Sequence, residues 1–277
     1  MNENSELVFT DVSVEGYTGE NGTGFRLKDV RLTLRPGEWL NIAGTNGSGK
    51  STLARLIAGL AAEGTTGTIA RGFAGSEPAP YVMQQPDAQL FGESPKEEVG
   101  FALEWLGFAE KEIDARTGQV LERLGLLPLA GFGWDRLSGG QRQLAAVAAA
   151  AAGRRQLIVF DEATSMLDDE SRRRVGLLAQ ELHASGCAVV WVTQQLDELD
   201  PEERVIALLD GKIVYDGTGR EFLLGGEPYG GPAPCERCGL RPPYLASLAL
   251  ALYRAGKIKP PLPATADEWR MKAGSAW

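Results

Sequence analysis

The chain has 277 residues, 43% hydrophobic and 23% charged, an ordinary balance for a folded protein with room for one or two domains and a sizeable core. A net charge of -9 and an isoelectric point near 4.9 argue against a general nucleic-acid binder, which needs a basic face to neutralise phosphates. The opening Met1-Asn2-Glu3-Asn4-Ser5-Glu6 lacks the positive start and apolar stretch of a secretory signal, and apolar runs such as 144–152 are far shorter than the roughly 20 residues of a membrane-spanning helix, so a cytosolic chain serving any membrane peripherally is expected.

Alternating runs over 7–14 and 25–34 predict antiparallel strands, with a glycine-rich connection over 16–24. An apolar strand over 38–43 then runs into Gly44-Thr45-Asn46-Gly47-Ser48-Gly49-Lys50-Ser51. Beyond it Leu53, Leu56, Ile57 and Leu60 recur at helical spacing, with Gly59 and Gly64 near the end. Strand, glycine loop and helix are the context that a G-x-x-x-x-G-K-[ST] match requires, which disfavours a chance match in a glycine-rich chain. Glycines let successive backbone N–H groups turn toward phosphate oxygens, and the following helix adds its positive end. Lys50 then supplies charge for the outer phosphates and the Ser51 hydroxyl a ligand for magnesium. The loop predicts ATP binding.

Further along, Leu137-Ser138-Gly139-Gly140-Gln141 precedes an alanine-rich helix over 142–152 that stops at Gly153. The alanines read either as low complexity or as the best helix former permitting close packing. The apolar run 156–160 ends in Asp161-Glu162, as a central parallel strand with functional carboxylates at its C-terminal edge would. Asp161 is the expected magnesium holder, and Glu162 the group that orients or deprotonates the attacking water. The bland alternative has both acids capping the next helix, which begins near 168 and closes at Gly186. His183 falls in its last turn, read as solvated or facing the helix dipole.

Three cysteines suit a reducing compartment. Cys187 falls in a buried strand. Cys235-Glu236-Arg237-Cys238 is spaced like half a zinc site, with surface or packing cysteines as one reading and a zinc shared between two chains as the other. Residues 204–209 and 213–215 read as a hairpin across Asp210-Gly211. Residues 225–232 read as a linker leading through Leu240-Arg241-Pro242-Pro243 to an amphipathic helix bearing Leu245, Leu248, Leu252 and Tyr253.

Leu-Ser-Gly-Gly-Gln set between a phosphate loop and an Asp-Glu strand resembles the signature of the ATP-binding cassette (ABC) ATPases, and the resemblance runs over residues 7–222. It implies an α/β fold, the ABC-type P-loop NTPase cassette. An ATPase domain would span 1–224, with an antiparallel β subdomain and an inserted helical subdomain at about 88–155. A small extension over 225–277 would aid dimerisation. The resemblance also implies that Tyr17 stacks on adenine, that residues from Gly44 to Ser51 and Thr52 hold ATP, and that Ser51, Gln84 and Asp161 serve magnesium. Gln84 would sense the metal and link the site to a membrane partner, and Asp168, in Ser165-Met166-Leu167-Asp168, would couple two active sites. Ser138, Gly139, Gly140 and Gln141 would close over ATP held by a second subunit.

One position departs informatively. Where the family has Thr-His this chain has Thr193-Gln194, and a glutamine amide donates hydrogen bonds but cannot become cationic. Slower hydrolysis is expected, within a pair whose other subunit keeps the histidine. Leu144, where arginine is frequent, and Ala163, where proline is frequent, are smaller departures.

Gln84-Gln85-Pro86-Asp87-Ala88-Gln89, the run Glu97-Glu98-Val99-Gly100-Phe101-Ala102-Leu103, and residues 161–168 look like the energy-coupling factor (ECF) transporter ATPases. The resemblance implies an ATP-hydrolysing subunit that powers uptake of vitamins or transition-metal ions. Its partners would be a second ABC ATPase, an integral membrane component and a substrate-binding membrane subunit, at the cytoplasmic face of the membrane and without nucleic acid. Phe91, Phe101, Trp105 and Phe108, with Glu93, Glu97, Glu98 and Glu104, read equally as helical core or as a docking groove for that membrane component. The rival reading is a soluble ABC ATPase acting on nucleic acid or ribosomes, and a phosphate-loop kinase is disfavoured by the signature.

Overall fold

The computed structural model describes residues 5–19, 22–225 and 231–274. The N-terminal part contains strands β1 (Leu7–Gly19), β2 (Gly22–Leu34) and β3 (Trp39–Ala43), helix α1 (Lys50–Ala58), and strands β4 (Thr65–Ala70) and β5 (Tyr81–Val82). Three helices follow: α2 (Pro95–Trp105), α3 (Glu110–Arg123) and α4 (Gly139–Ala152). Then come β6 (Leu157–Asp161), α5 (Asp169–Ala184), β7 (Ala188–Val192), β8 (Arg204–Leu209) and β9 (Lys212–Thr218), and last α6 (Gly219–Leu224), α7 (Pro234–Arg237), α8 (Tyr244–Arg254) and α9 (Ala266–Gly274).

Strand β1 pairs antiparallel with β2 on one side and β4 on the other. Pairing runs from Leu7↔Leu34 through Thr18↔Thr23 to Gly19↔Gly22, so most of the expected loop over 16–24 is strand instead. Glycine lets the two backbones close up there: a Cβ on Gly16 would meet the Gly24 carbonyl at 3.0 Å.

The second sheet has the order β5-β6-β7-β3-β8-β9, parallel except for β9. Its central strands are buried on both faces, with side chains alternating between two cores. Leu157, Val159, Ala188, Val190 and Val192 join the core under β1, β2 and α1, while Ile158, Phe160, Val189 and Trp191 join the one under α2–α5. The alanines of α4 belong to this second core. Ala145, Ala146, Ala148, Ala151 and Ala152 are buried, so the run serves close helix packing. His183 is held rather than solvated, since its Nε2 lies 2.9 Å from the Gly37 carbonyl and its ring packs edge-on against Trp39.

The C-terminal segment does not form a core of its own. Ala43, Val205 and Ala207 of the sheet pack with Leu196, Leu199, Phe222, Leu223 and Leu224, and the same cluster takes in Cys235, Cys238, Ala246, Ala249, Leu250, Ile258 and Leu262. The buried stripe of α8 is Ala246, Ala249 and Leu250, whereas the expected Leu245, Leu248, Leu252 and Tyr253 are half-buried, so the helix is turned with its alanine side toward the cluster that contains Phe222, Leu223 and Leu224. Both Cys235 and Cys238 are buried packing residues, and burial pushes the Cys235 thiol up to about 12. Among the described residues no group of three His, Cys, Asp or Glu side chains gathers around them. Residues 226–230 of the expected linker lie outside the described residues.

Phe222 is fully buried and its ring lies 5.0 Å from that of Tyr215, at the seam between sheet and C-terminal segment. Phe222→Ala is expected to lower the unfolding free energy by about 3–5 kcal/mol, measured by urea denaturation, with α8 and the sheet losing structure in one transition.

Candidate ATP site

Because β3, β6 and β7 are parallel, their C-terminal ends lie along one sheet edge, and each leads into a residue predicted for the site. β3 enters the phosphate loop. Gly44 has φ +150°, and a Cβ there would meet the Leu208 carbonyl and Ser48 Oγ, both at 2.6 Å. Gly49 has φ +104°, and a Cβ would meet the Arg26 carbonyl of β2 at 2.5 Å. Only glycine fits these two positions. Gly49 is also the N-cap of α1, so Lys50, Ser51 and Thr52 form its first turn and their N–H groups have no partner within the helix.

Lys50 is buried. Its Nζ donates to the Thr45 carbonyl at 3.1 Å and lies 3.4 Å from Glu162 Oε1. Glu162 has φ 50°, uncommon for a residue with a side chain, and its turn is fixed by Glu162 N donating to the Val192 carbonyl and by Ser165 N and Oγ donating to its own carbonyl. Gln194, just past β7, completes the cluster. Its Nε2 donates to Glu162 Oε1 at 2.6 Å and to Asn46 Oδ1 at 2.7 Å. The glutamine thus links the phosphate loop to the predicted catalytic carboxylate.

Asp161 ends β6, buried on one side of this cluster. Its Oδ2 accepts from Tyr81 Oη at 2.5 Å, while Oδ1 has no hydrogen-bond partner. Burial raises the pKa of this carboxyl, opposed by hydrogen bonding to Tyr81 and Ser51. A buried carboxylate oxygen without a partner, close to a serine hydroxyl, is a hard-oxygen donor set that fits magnesium. Neither acid caps the next helix: the residue that caps α5 is Asp168, whose side chain accepts from Ser171 N at 2.7 Å and is held below the usual carboxylate range mainly by that bond.

Ser138 caps α4. It accepts from Gln141 N at 3.2 Å while Ser138 N donates to Gln141 Oε1 at 2.9 Å, a reciprocal capping box that fixes the helix start. The helix begins at Gly139, three residues earlier than expected, so Gly139, Gly140 and Gln141 form its first turn. Gly140 faces Leu167 and Met166, the loop before Asp168. Gln84 is exposed just beyond β5. Tyr17 lies in β1, and its side chain falls outside the described residues.

Residues 27–165 match the family model described as ABC transporter. The chain belongs to the ABC transporter family. It is 36% identical over 239 residues, 83% of each chain, to the energy-coupling factor transporter ATP-binding protein EcfA1 of Lactiplantibacillus plantarum. It is also 36% identical over 211 residues to EcfA1 of Thermotoga maritima, covering 75% of this chain and 80% of that one. The dimeric post-hydrolysis structure of the ATP-binding cassette MJ0796, bound to ADP and Pi, superposes with a TM-score of 0.68 at 25% identity, covering 77% of this chain and 99% of that one. CbiO1 of Clostridium perfringens, part of the ABC transporter complex cbiONQ, shares the fold with a TM-score of 0.64 at 24% identity over 88% of this chain and 98% of that one.

Sequence reasoning missed two residues of this cassette. Tyr81, paired in register with Val159 of β6, orients Asp161. Its signal was a tyrosine opening a short strand three residues before Gln84. Asn46, read only as a phosphate-loop residue, also anchors Gln194, and nothing in the spacing indicated that contact. Since the folded chain buries the Asp161 charge with one oxygen bare, the folded-state pKa is raised, and the resulting cost to stability is present above that pKa and relieved as pH falls through it. Asp161→Asn is therefore expected to raise the melting temperature of the chain at pH 7, with the gain disappearing under acid, as a pH series of thermal melts would show.

Proposed function

We propose that this ABC ATPase is the ATP-hydrolysing subunit of an ECF-type importer of vitamins or transition-metal ions. The observation that carries hydrolysis is Glu162, held by Lys50 and Gln194 at the mouth of the phosphate loop. From there its carboxylate is placed to orient and deprotonate a water attacking the outer phosphate. Lys50 is positioned to exchange its contact with Glu162 for the phosphate, and the α1 N-terminus to receive the phosphate oxygens. Ser51 and Asp161, with Gln84 beyond β5, would hold magnesium, which when bound neutralises charge on the phosphates. Tyr17 is proposed as the adenine platform.

The reading extends to a second subunit. The capping box presents Ser138 and the first turn of α4 as a rigid donor surface beside the loop that ends in Asp168, which suits closure over ATP on another chain. The ECF assignment is supported by the names of the EcfA1 relatives. It is also supported by a candidate docking face: Phe91, ahead of α2, is 86% exposed and Trp105, at the end of α2, 91%, whereas Val99 and Leu103 of that helix are core. Glu98 does not belong to that face, because it is buried and accepts from Phe91 N and Gly92 N, so it presents Phe91. Glu93, Glu97 and Glu104 remain to meet basic groups of an integral membrane component. Among the described residues no helix is long and apolar enough to cross a membrane. In the importer reading the chain acts as a peripheral subunit at the cytoplasmic face.

Gln194 sets the rate. Its amide holds Glu162 and Asn46 but carries no charge to place against the outer phosphate, which supports slow turnover at this loop and pairing with a histidine-bearing partner ATPase.

Purification from membranes is expected to bring integral membrane chains with this one, and recovery of ribosomes or nucleic acid instead would overturn the importer reading. In that complex Glu162→Gln is expected to lower ATP turnover by about 10²-fold or more with ATP still bound. Gln194→His is expected to raise turnover, and unchanged turnover would refute the proposed role of Gln194.

A further inference from the structure

Glu198 is absent from every motif described above, yet its side chain is only 8% exposed and both carboxylate oxygens are engaged. Oε2 accepts from Thr193 Oγ1 at 2.7 Å and from Trp191 Nε1 at 3.1 Å. Oε1 accepts from Thr164 Oγ1 at 2.7 Å and lies 3.6 Å from Arg172 Nε. A buried carboxylate with this many donors is expensive to disturb and holds its partners in one arrangement.

The partners fall on two sides of the site. On one side the Thr193 hydroxyl donates to Glu198 and accepts from Gln195 N at 3.0 Å, so the residues before and after Gln194 share one hydroxyl whose direction Glu198 fixes. On the other side Thr164 begins the loop that ends in Asp168. Leu167 N donates to the Thr164 carbonyl, and Arg172 Nη2 donates to the Leu167 carbonyl. Gly140 of the signature turn faces this same loop.

We infer that Glu198 is a positioning residue that couples Gln194, at this chain's own phosphate loop, to the 164–168 loop that would meet a second subunit. The inference rests on the ATPase reading only for its kinetic consequence. A shift of the 164–168 loop on subunit closure pulls on Thr164, turns the Glu198 carboxylate, and reaches Gln194 through Thr193. Trp191, on a central strand, is the fixed point about which the carboxylate turns.

The test is amide hydrogen exchange on the full chain with Thr164→Val, which removes one hydroxyl at nearly constant volume. If Glu198 couples the two segments, exchange speeds up by about tenfold over 193–196 as well as over 163–168, although 193–196 keeps all its own bonds, and other segments stay as in the parent. Thr193→Val is expected to do the reverse, loosening 163–168. Loosening confined to the substituted segment in either variant would overturn the inference. Kinetics supplies the second readout: Glu198→Gln is expected to lower kcat by about tenfold with KM nearly unchanged, and to add nothing further in a Gln194→Ala background. A loss that multiplies with Gln194→Ala would overturn the route through Gln194. Should the parent chain prove not to hydrolyse ATP, the ATPase reading fails while the exchange result still decides the coupling.

Discussion

The buried contact between Lys50 and Glu162 constrains the whole arrangement of the catalytic edge. Neither charge tolerates burial without an opposite partner and further hydrogen bonds, so the lysine leans on the Thr45 carbonyl and the glutamate on Gln194. Lys50 follows β3 across the phosphate loop and Glu162 follows β6 directly, and these two strands are not neighbours but are separated by β7. The pair therefore exists only if β7 holds both at the same height, and the register does so, with Ile42 and Asp161 each opposite Val192. Glu162 N donating to Val192, and Thr193 N donating to Ile42, extend that alignment one residue beyond the strands. Glu162 partners the Lys50 charge as a phosphate oxygen would, so the lysine is held in place by the chain itself.

Holding such an edge together costs conformational freedom, and the compensation comes from the antiparallel sheet. The Arg26 carbonyl of β2 approaches both Gly49 and Gly211, and Lys28 N donates to the Gly211 carbonyl, so the β8–β9 turn and the phosphate loop are braced by one stretch of β2. Gly211 N in turn donates to the Ser48 carbonyl. The left-handed Glu162 is a further strain borne locally, maintained by three hydrogen bonds to its own peptide groups. Strain of this kind is found where a side chain must leave a strand and face a ligand at once.

Much of this was legible in the sequence because the chemistry of phosphate binding dictates residue types at fixed spacing. Gly44, Gly49 and Lys50 have no substitutes in their positions, and the apolar runs over 38–43 and 156–160 have the length of buried strands. The parts that did not read through depend on contacts between distant segments. Nothing local says that Tyr81 serves Asp161 or that Gln194 reaches Asn46, and a glycine-rich run such as 16–24 reads as a loop until its pairing partner is known. The stripe of α8 was misplaced for a related reason. Leucines mark an apolar face, but two of the three residues that α8 buries are alanines, which a reading for large apolar side chains passes over.

The C-terminal segment is not a separable appendage, and this bears on how dimerisation and catalysis would communicate. Its core takes in Ala43, the last residue before the phosphate loop, and Leu196 and Leu199, which lie two and five residues after Gln194. Gly239, just after α7, lies where a Cβ would be 3.4 Å from the Thr45 methyl group. Packing in a close-packed interior is not continuously deformable, so a displacement of α7 or α8 by a partner chain has to be taken up by these neighbours. Two of the three strand ends that form the ATP edge, those leading to Thr45 and to Gln194, thus rest on the segment proposed to join two subunits. The third, at Glu162, rests on the helical side with α4 and α5. A rotation between the two halves of the cassette would act on the Gln194–Glu162 contact, because that hydrogen bond bridges the division.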